Sequence, residues 1–147
     1  MNKIVLLRQL LCICFLLILS GVVVVEMRGS ERLRSTFVFY DRDTNRATVE
    51  ERLLYREPDT ERAIYSYVEE MLYGPMTPSL MPLFLPETSV LSLLYRNGAV
   101  FVNLSESAAF PIEGIDLTTT LSIMEQGIRR NFPVVQTVHI FIKGYGV

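Results

Sequence analysis

Tryptophan is absent, histidine occurs once and cysteine twice, so strong metal ligands are scarce. A structural zinc site takes about four nitrogen or sulfur ligands, and this set cannot supply them. Cys12 and Cys14 both fall in an apolar run near the start, where thiols behave as small hydrophobes. Residues 26–147 have no cysteine and rely on no disulfide. An excess of one charge is also lacking. The 14 Lys and Arg against 16 Asp and Glu give a net charge of −2, which argues against a nucleic-acid partner. With 50% hydrophobic residues in 147, the chain has material for one domain with a core, not for two.

What is present begins with a long hydrophobic segment. Ile4 to Val25 covers 22 positions broken only by Arg8, Gln9 and Ser20. As a helix it would extend roughly 33 Å, one bilayer crossing. No A-x-A-like site precedes Glu26, so a retained signal anchor is expected over a cleaved leader. Positive charge is nearly balanced across the segment, but a short basic start followed at once by an apolar run favours an exported domain. The division expected is residues 1–29 as anchor and short linker and 30–147 as an extracytoplasmic domain. From Ser30 onward there are 11 basic and 15 acidic side chains, a net −4.

Along that domain, Thr36–Tyr40 and Ala47–Tyr55 read as strands around the turn cluster Asp41–Asn45. Ala47, Val49, Leu53 and Tyr55 share one parity, with Glu51 interrupting it where a bulge or an exposed end is expected. Asp59 or Thr60 caps a helix in which Ala63, Ile64, Tyr67, Val68, Met71 and Leu72 recur at helical spacing, ended by Gly74-Pro75. Pro78, Pro82 and Pro86 rule out a regular element around Leu80, Met81, Leu83 and Phe84. Val90–Tyr95 and Ala99–Leu104 flank Asn97-Gly98, a strong hairpin signal. Asp116 caps a second helix with Leu117, Leu121, Met124 and Ile128 on one face, and Val135–Lys143 forms the last strand. The fold class expected is α+β: an N-terminal transmembrane helix, then one β-β-α-β-β-α-β domain with two helices packed on one face of a sheet.

Several of these runs resemble the GerMN domain family. Tyr67 to Pro75 is similar to that family's helix with its Gly74-Pro75 exit, and Pro86 to Ser92 is similar to its proline-led strand. Gly98 to Ser105, following Asn97, is similar to its hairpin and V-[DN]-L-S exit, here through Asn103, Leu104 and Ser105. The likeness spans about Phe37 to Gly144; Asn103 departs from the usual Asp, and the proline-rich loop is unusually apolar. The resemblance implies a membrane-tethered module of the bacterial cell envelope without catalytic activity, acting in assembly or binding.

The residues themselves offer little chemistry. Ser105, His139 and Glu106 or Asp116 could be assembled into a hydrolytic set, but no G-x-S-x-G elbow exists and His139 sits mid-strand. Glu50-Glu51 and Glu69-Glu70 are adjacent pairs, which diverge on a strand or a helix. No enzyme, catalytic residue, metal or cofactor is expected. The expected role is protein–protein assembly, with an envelope protein or a second copy, at the cytoplasmic membrane. Leu80, Met81, Leu83 and Phe84 either cover an open edge of the core or form the partner-binding patch, aided by strand addition at a free edge. On the patch reading, Phe84→Asp abolishes capture without unfolding the domain. The alternative is binding of cell-wall glycan or peptide on Tyr65, Tyr67, Tyr73 and Tyr95.

Overall fold

The structure, a computed structural model, describes Gln9 and residues 11–18, 31–44, 46–110, 112 and 114–147. Of the apolar run 4–25, Gln9 and 11–18 are helical, with Leu11, Ile13, Phe15 and Leu16 exposed. The other residues of the expected membrane span, 4–8, 10 and 19–25, are outside the described residues. Among those described, no helix is long and apolar enough to cross a membrane.

Two antiparallel strands begin the domain, β1 (Arg32–Asp41) and β2 (Arg46–Tyr55), paired without interruption from Arg32↔Tyr55 to Asp41↔Arg46. β1 therefore starts four residues before the expected strand, and no bulge forms at Glu51. The Asp41 carboxylate accepts the N–H groups of Asp43 and Thr44, both at 2.9 Å, closing the turn. The sided pattern of β2 is the reverse of the one expected. Phe37 and Phe39 of β1 are fully buried, and the register places Glu50 opposite Phe37. Glu50 and Arg52 thus face inward, while Val49, Leu53 and Tyr55 are exposed. Phe37 and Phe39 on β1 take the core side of this hairpin, and a one-residue slip would expose both rings.

Helix α1 (Thr60–Leu72) is capped by Asp59, whose carboxylate accepts the Arg62 N–H at 2.8 Å, and buries Ile64, Tyr67, Val68, Met71 and Leu72. It ends where Gly74 takes φ +87°; a Cβ there would also meet Pro82 Cβ at 3.2 Å. The segment beyond is not free of regular structure. β3 (Leu80–Met81) pairs with the end of β1, giving a first sheet of order β2-β1-β3. Its backbone bonds pull the loop inward: Leu80, Leu83 and Phe84 are buried in the core and Met81 is half-buried. The expected partner-binding patch of Leu80, Met81, Leu83 and Phe84 is therefore core cover, because the prolines bend the segment back over the sheet.

The second sheet has the order β4-β5-β6-β7. β4 (Val90–Arg96) and β5 (Ala99–Leu104) meet at Asn97 (φ +51°) and Gly98 (φ +78°), the paired left-handed conformations of a two-residue hairpin. Helix α2 (Leu117–Asn131), capped by Asp116, crosses to β6 (Thr137–Ile142), which runs parallel to β5; β7 (Tyr145–Gly146) ends the sheet. Val100, Val102 and Leu104 point into the core and Phe101 points out, so one face of this sheet is covered, with both helices against it. α2 buries Thr120, Met124, Gly127 and Ile128, leaving Leu117 and Leu121 half-covered, a rotated version of the expected stripe.

Two sheets stand where one was expected. The outer edge of β1 is closed at Thr36, whose N–H and C=O both bond the Asn131 side chain. A further strand cannot add there. The two sheets instead share one core through Phe37, stacked on Tyr67 with ring centroids 4.6 Å apart, and Tyr67 meets Phe132 edge-on at 5.7 Å.

Candidate functional site

Polar chemistry in the interior centres on Arg52, which the sequence reading passed over. Its Nε donates to Glu50 Oε1 at 2.7 Å, and Nη1 donates to the carbonyl and carboxylate of Glu70 at 3.1 and 3.2 Å. Nη2 donates to the Gly74 carbonyl at 2.6 Å. The guanidinium lies 4.7 Å from the Phe37 ring centroid and 5.4 Å from that of Phe39. A cation here satisfies the carbonyl groups left open at the C-terminal end of α1. Glu50 also accepts the N–H groups of Met76 and Thr77, at 3.2 and 2.9 Å. Desolvation raises the Glu50 pKa, but the bonds from Thr77, Met76 and Arg52 outweigh it and bring it down to about 2. This ion pair is an anchor for α1 and the proline loop. It presents no open position to a ligand.

The residues proposed for hydrolysis are not brought together. His139 is exposed on the outward face of β6, stacked on Phe101 with centroids 4.9 Å apart. Ser105 lies four residues beyond Phe101, about 13 Å along the strand direction. Its Oγ accepts the Ser89 N–H at 3.0 Å and its own N–H donates to the Ser89 carbonyl at 2.9 Å. Glu106 pairs with Lys143 at 2.6 Å, and Asp116 caps α2. Glu50 and Glu51 face opposite ways, the latter paired with Arg34 at 3.1 Å. Among the described residues no three His, Cys, Asp or Glu side chains converge as metal ligands.

The motif residues form a framework. Leu104 is buried, its carbonyl accepting the Lys143 N–H at 2.9 Å, and Asn103 Oδ1 accepts the Gly144 N–H at 2.9 Å. Together with Ser105 they fasten the end of β5 to β4 on one side and to the turn after β6 on the other. The four tyrosines do not form one platform: Tyr67 is fully buried, whereas Tyr73 is exposed beyond the end of α1.

Surfaces remain as the candidate sites. A cleft of about 340 Å³ opens at the end where β1 starts, lined by Leu33, Tyr55, Pro58, Phe132 and Val134 with Ser66 and Asn131. A groove of about 290 Å³ lies between α2 and β6, over Leu117, Leu121, Val138 and Ile140. The outward face of the second sheet carries Leu94, Phe101 and His139 in one cross-strand row, set by the registers Leu94↔Phe101 and Phe101↔His139.

No family model and no curated protein matches the sequence. The fold does have solved counterparts. The first GerMN domain of the sporulation protein GerM from Bacillus subtilis is similar over 78% of this chain and 86% of its own, at 15% identity with a TM-score of 0.61. The tandem GerMN domains of the same protein match over 80% of this chain and 40% of theirs, at 16% identity and a TM-score of 0.58. A Clostridium perfringens protein assigned as a lipoprotein matches over 78% of this chain and 76% of its own, at 20% identity and a TM-score of 0.52. The fold is GerMN-like, in agreement with the short motifs around Gly74-Pro75 and Asn103-Leu104-Ser105.

Proposed function

We propose that the chain is a non-catalytic module of the bacterial cell envelope, anchored in the cytoplasmic membrane by residues 4–25, whose exported domain assembles with another protein. The observation that carries this reading is the outward row on the second sheet. Leu94 is 51% exposed and Phe101 36%, with His139 completing the row. Contiguous apolar groups on a rigid sheet face are the usual form of a protein contact, and they are costly to leave in water. In the cleft at the start of β1 the Ser66 hydroxyl donates to Glu57 at 3.0 Å, and His139 lines neither cleft. The anchor is supported by the exposed apolar side chains of the helical residues 11–18, and the envelope setting accords with a sporulation protein and a lipoprotein sharing this fold. The partner is a second envelope protein or another copy of the chain.

Photo-crosslinking in intact cells from positions 94 and 101, with position 43 as control, tests this. A discrete protein adduct or a ladder of self-adducts from the two sheet positions alone is the expected result. Equal labelling from all three positions, or none from 94 and 101, refutes the sheet face as the contact.

A further inference from the structure

The anchoring reading also fixes which end of the domain lies nearest the bilayer. The apolar run ends at Val25 and β1 starts at Arg32, and this stretch of chain reaches at most about 25 Å. Tyr55 pairs with Arg32 at the start of β1, and the Glu31 carbonyl accepts the Arg56 N–H at 2.8 Å. Asn131 fastens the C-terminal end of α2 to Thr36, and the Tyr95 hydroxyl reaches the Val134 carbonyl at 3.5 Å. The topology therefore gathers Leu33, Tyr55, Arg96, Arg130 and Val134 at the end from which the linker leaves.

We propose that this end of the domain seats on an anionic lipid surface; the proposal rests on the anchoring reading. Three apolar side chains stand out around the 340 Å³ cleft: Leu33 at 48%, Tyr55 at 58% and Val134 at 55% exposure. Arg32 lies over the Tyr55 ring at 4.7 Å and donates to its hydroxyl at 2.9 Å, a pairing of cation and aromatic suited to the headgroup layer.

Charge complements this shape. Of the carboxylates at this end, Glu31 pairs with Arg56 and Asp59 with Arg62, whereas Glu57 and Glu61 accept from the neutral Ser66 hydroxyl and Tyr95 N–H and keep their charge. Arg32, Arg56, Arg62, Arg96 and Arg130 thus stand against Glu31, Glu57, Asp59 and Glu61, an excess of one positive charge. The far end carries Asp41, Asp43, Glu87, Glu106 and Asp116 against Arg42, Arg46 and Lys143, an excess of two negative charges. An anionic surface attracts the near end and repels the far one. With a linker this short the domain then stands upright, holding the outward sheet face beside the membrane and open to a partner.

The test uses the full chain with Cys12→Ser and Cys14→Ser, labelled with an environment-sensitive dye at Val134→Cys or Asp43→Cys. It is placed in phosphatidylcholine vesicles with or without phosphatidylglycerol, and quenching by neutral acrylamide is measured. On phosphatidylglycerol vesicles the dye at 134 is expected to be shielded several-fold relative to that at 43. The shielding should fall in pure phosphatidylcholine, in about 1 M salt where the Debye length is about 3 Å, and in the doubly reversed Arg96→Glu, Arg130→Glu variant. Unchanged circular dichroism of that variant shows it is folded. Equal quenching at both positions on vesicles that float with the chain overturns the proposal, as does shielding unaffected by lipid charge and salt. A chain that fails to float with either vesicle defeats the anchoring reading and the proposal with it.

Discussion

The Asn131 carboxamide accepts the N–H of Thr36 and donates to its C=O, each at 2.8 Å, so a side chain occupies the place of a neighbouring strand on β1. The same amide nitrogen donates to the Gly127 carbonyl at 2.8 Å, tying α2 to the first sheet and closing that sheet's edge. Asn131→Ala strands the part-buried Thr36 N–H, while the Thr36 C=O keeps the Tyr67 hydroxyl, and is expected to destabilise the domain by about 1–3 kcal/mol. Asn131→Asp replaces the donor facing the Thr36 carbonyl with an acceptor and should cost at least as much. Urea unfolding of the two variants measures both. An Asn131→Ala midpoint equal to that of the parent would show the bonds contribute nothing.

Arg52 and Glu50 form a buried pair whose members depend on each other. Arg52→Ala leaves the Glu50 carboxylate without its cation and the Gly74 carbonyl without its donor, a loss expected to be about 3–5 kcal/mol. The double replacement Glu50→Leu, Arg52→Met removes both charges and should be less damaging than the two single changes added together. A double-mutant cycle reads the difference, and simple additivity would mean that the pair is not coupled.

Acid should weaken the domain through Glu50. Its folded pKa is about 2, below the ordinary 4.5 of the unfolded chain, so the carboxylate stabilises the fold fully above about pH 4.5. That contribution, on the order of 3 kcal/mol, is lost as the pH falls from there towards 2. Urea midpoints measured between about pH 6 and pH 2 should fall in this window for the parent and stay flatter for Glu50→Gln. Parallel profiles would place the acid sensitivity elsewhere.

Gly127 marks the closest approach of the two helices. A Cβ built there would lie 2.5 Å from the Tyr67 hydroxyl oxygen and 3.0 Å from Met71 Cε. Tyr67 is fully buried and its hydroxyl donates to the Thr36 carbonyl at 3.0 Å, so the ring has nowhere to move. Gly127→Ala should destabilise the domain by about 1–3 kcal/mol by overpacking. Adding Tyr67→Phe, which removes the obstructing oxygen, should recover part of the loss. Additive effects in thermal unfolding would contradict this origin.

Phe84 distinguishes core cover from contact surface. Because its side chain is 2% exposed, Phe84→Asp is expected to unfold the domain, as it combines a lost aromatic with a buried carboxylate. A native circular-dichroism spectrum for this variant would return the proline loop to the surface and restore it as a partner site.

Local signals were legible wherever backbone chemistry alone decides. Asn97-Gly98 supplies the two positive φ angles of its turn, Asp59 and Asp116 bond the first helical N–H groups, and Gly74-Pro75 can only end a helix. The Gly74-Pro75 and Asn103-Leu104-Ser105 motifs also led to the GerMN-like fold, because their residues tie element ends together. The candidate site was less legible. The row Leu94, Phe101, His139 comes from three strands, and no spacing along the chain puts residues 94, 101 and 139 side by side.

By itself, then, the sequence determined where helices and turns begin and end, since these depend on neighbours a few residues apart. Tertiary structure decided what faces inward. On β2 the apolar parity of Val49 and Leu53 lost to Glu50 and Arg52, because Phe37 and Phe39 across the hairpin claimed the core. It also decided that the domain has two sheets, since the Asn131 amide closes the edge of β1 from 95 positions further along the chain. Burial and edge closure are long-range outcomes of packing, and they exist only when the distant partner is in place.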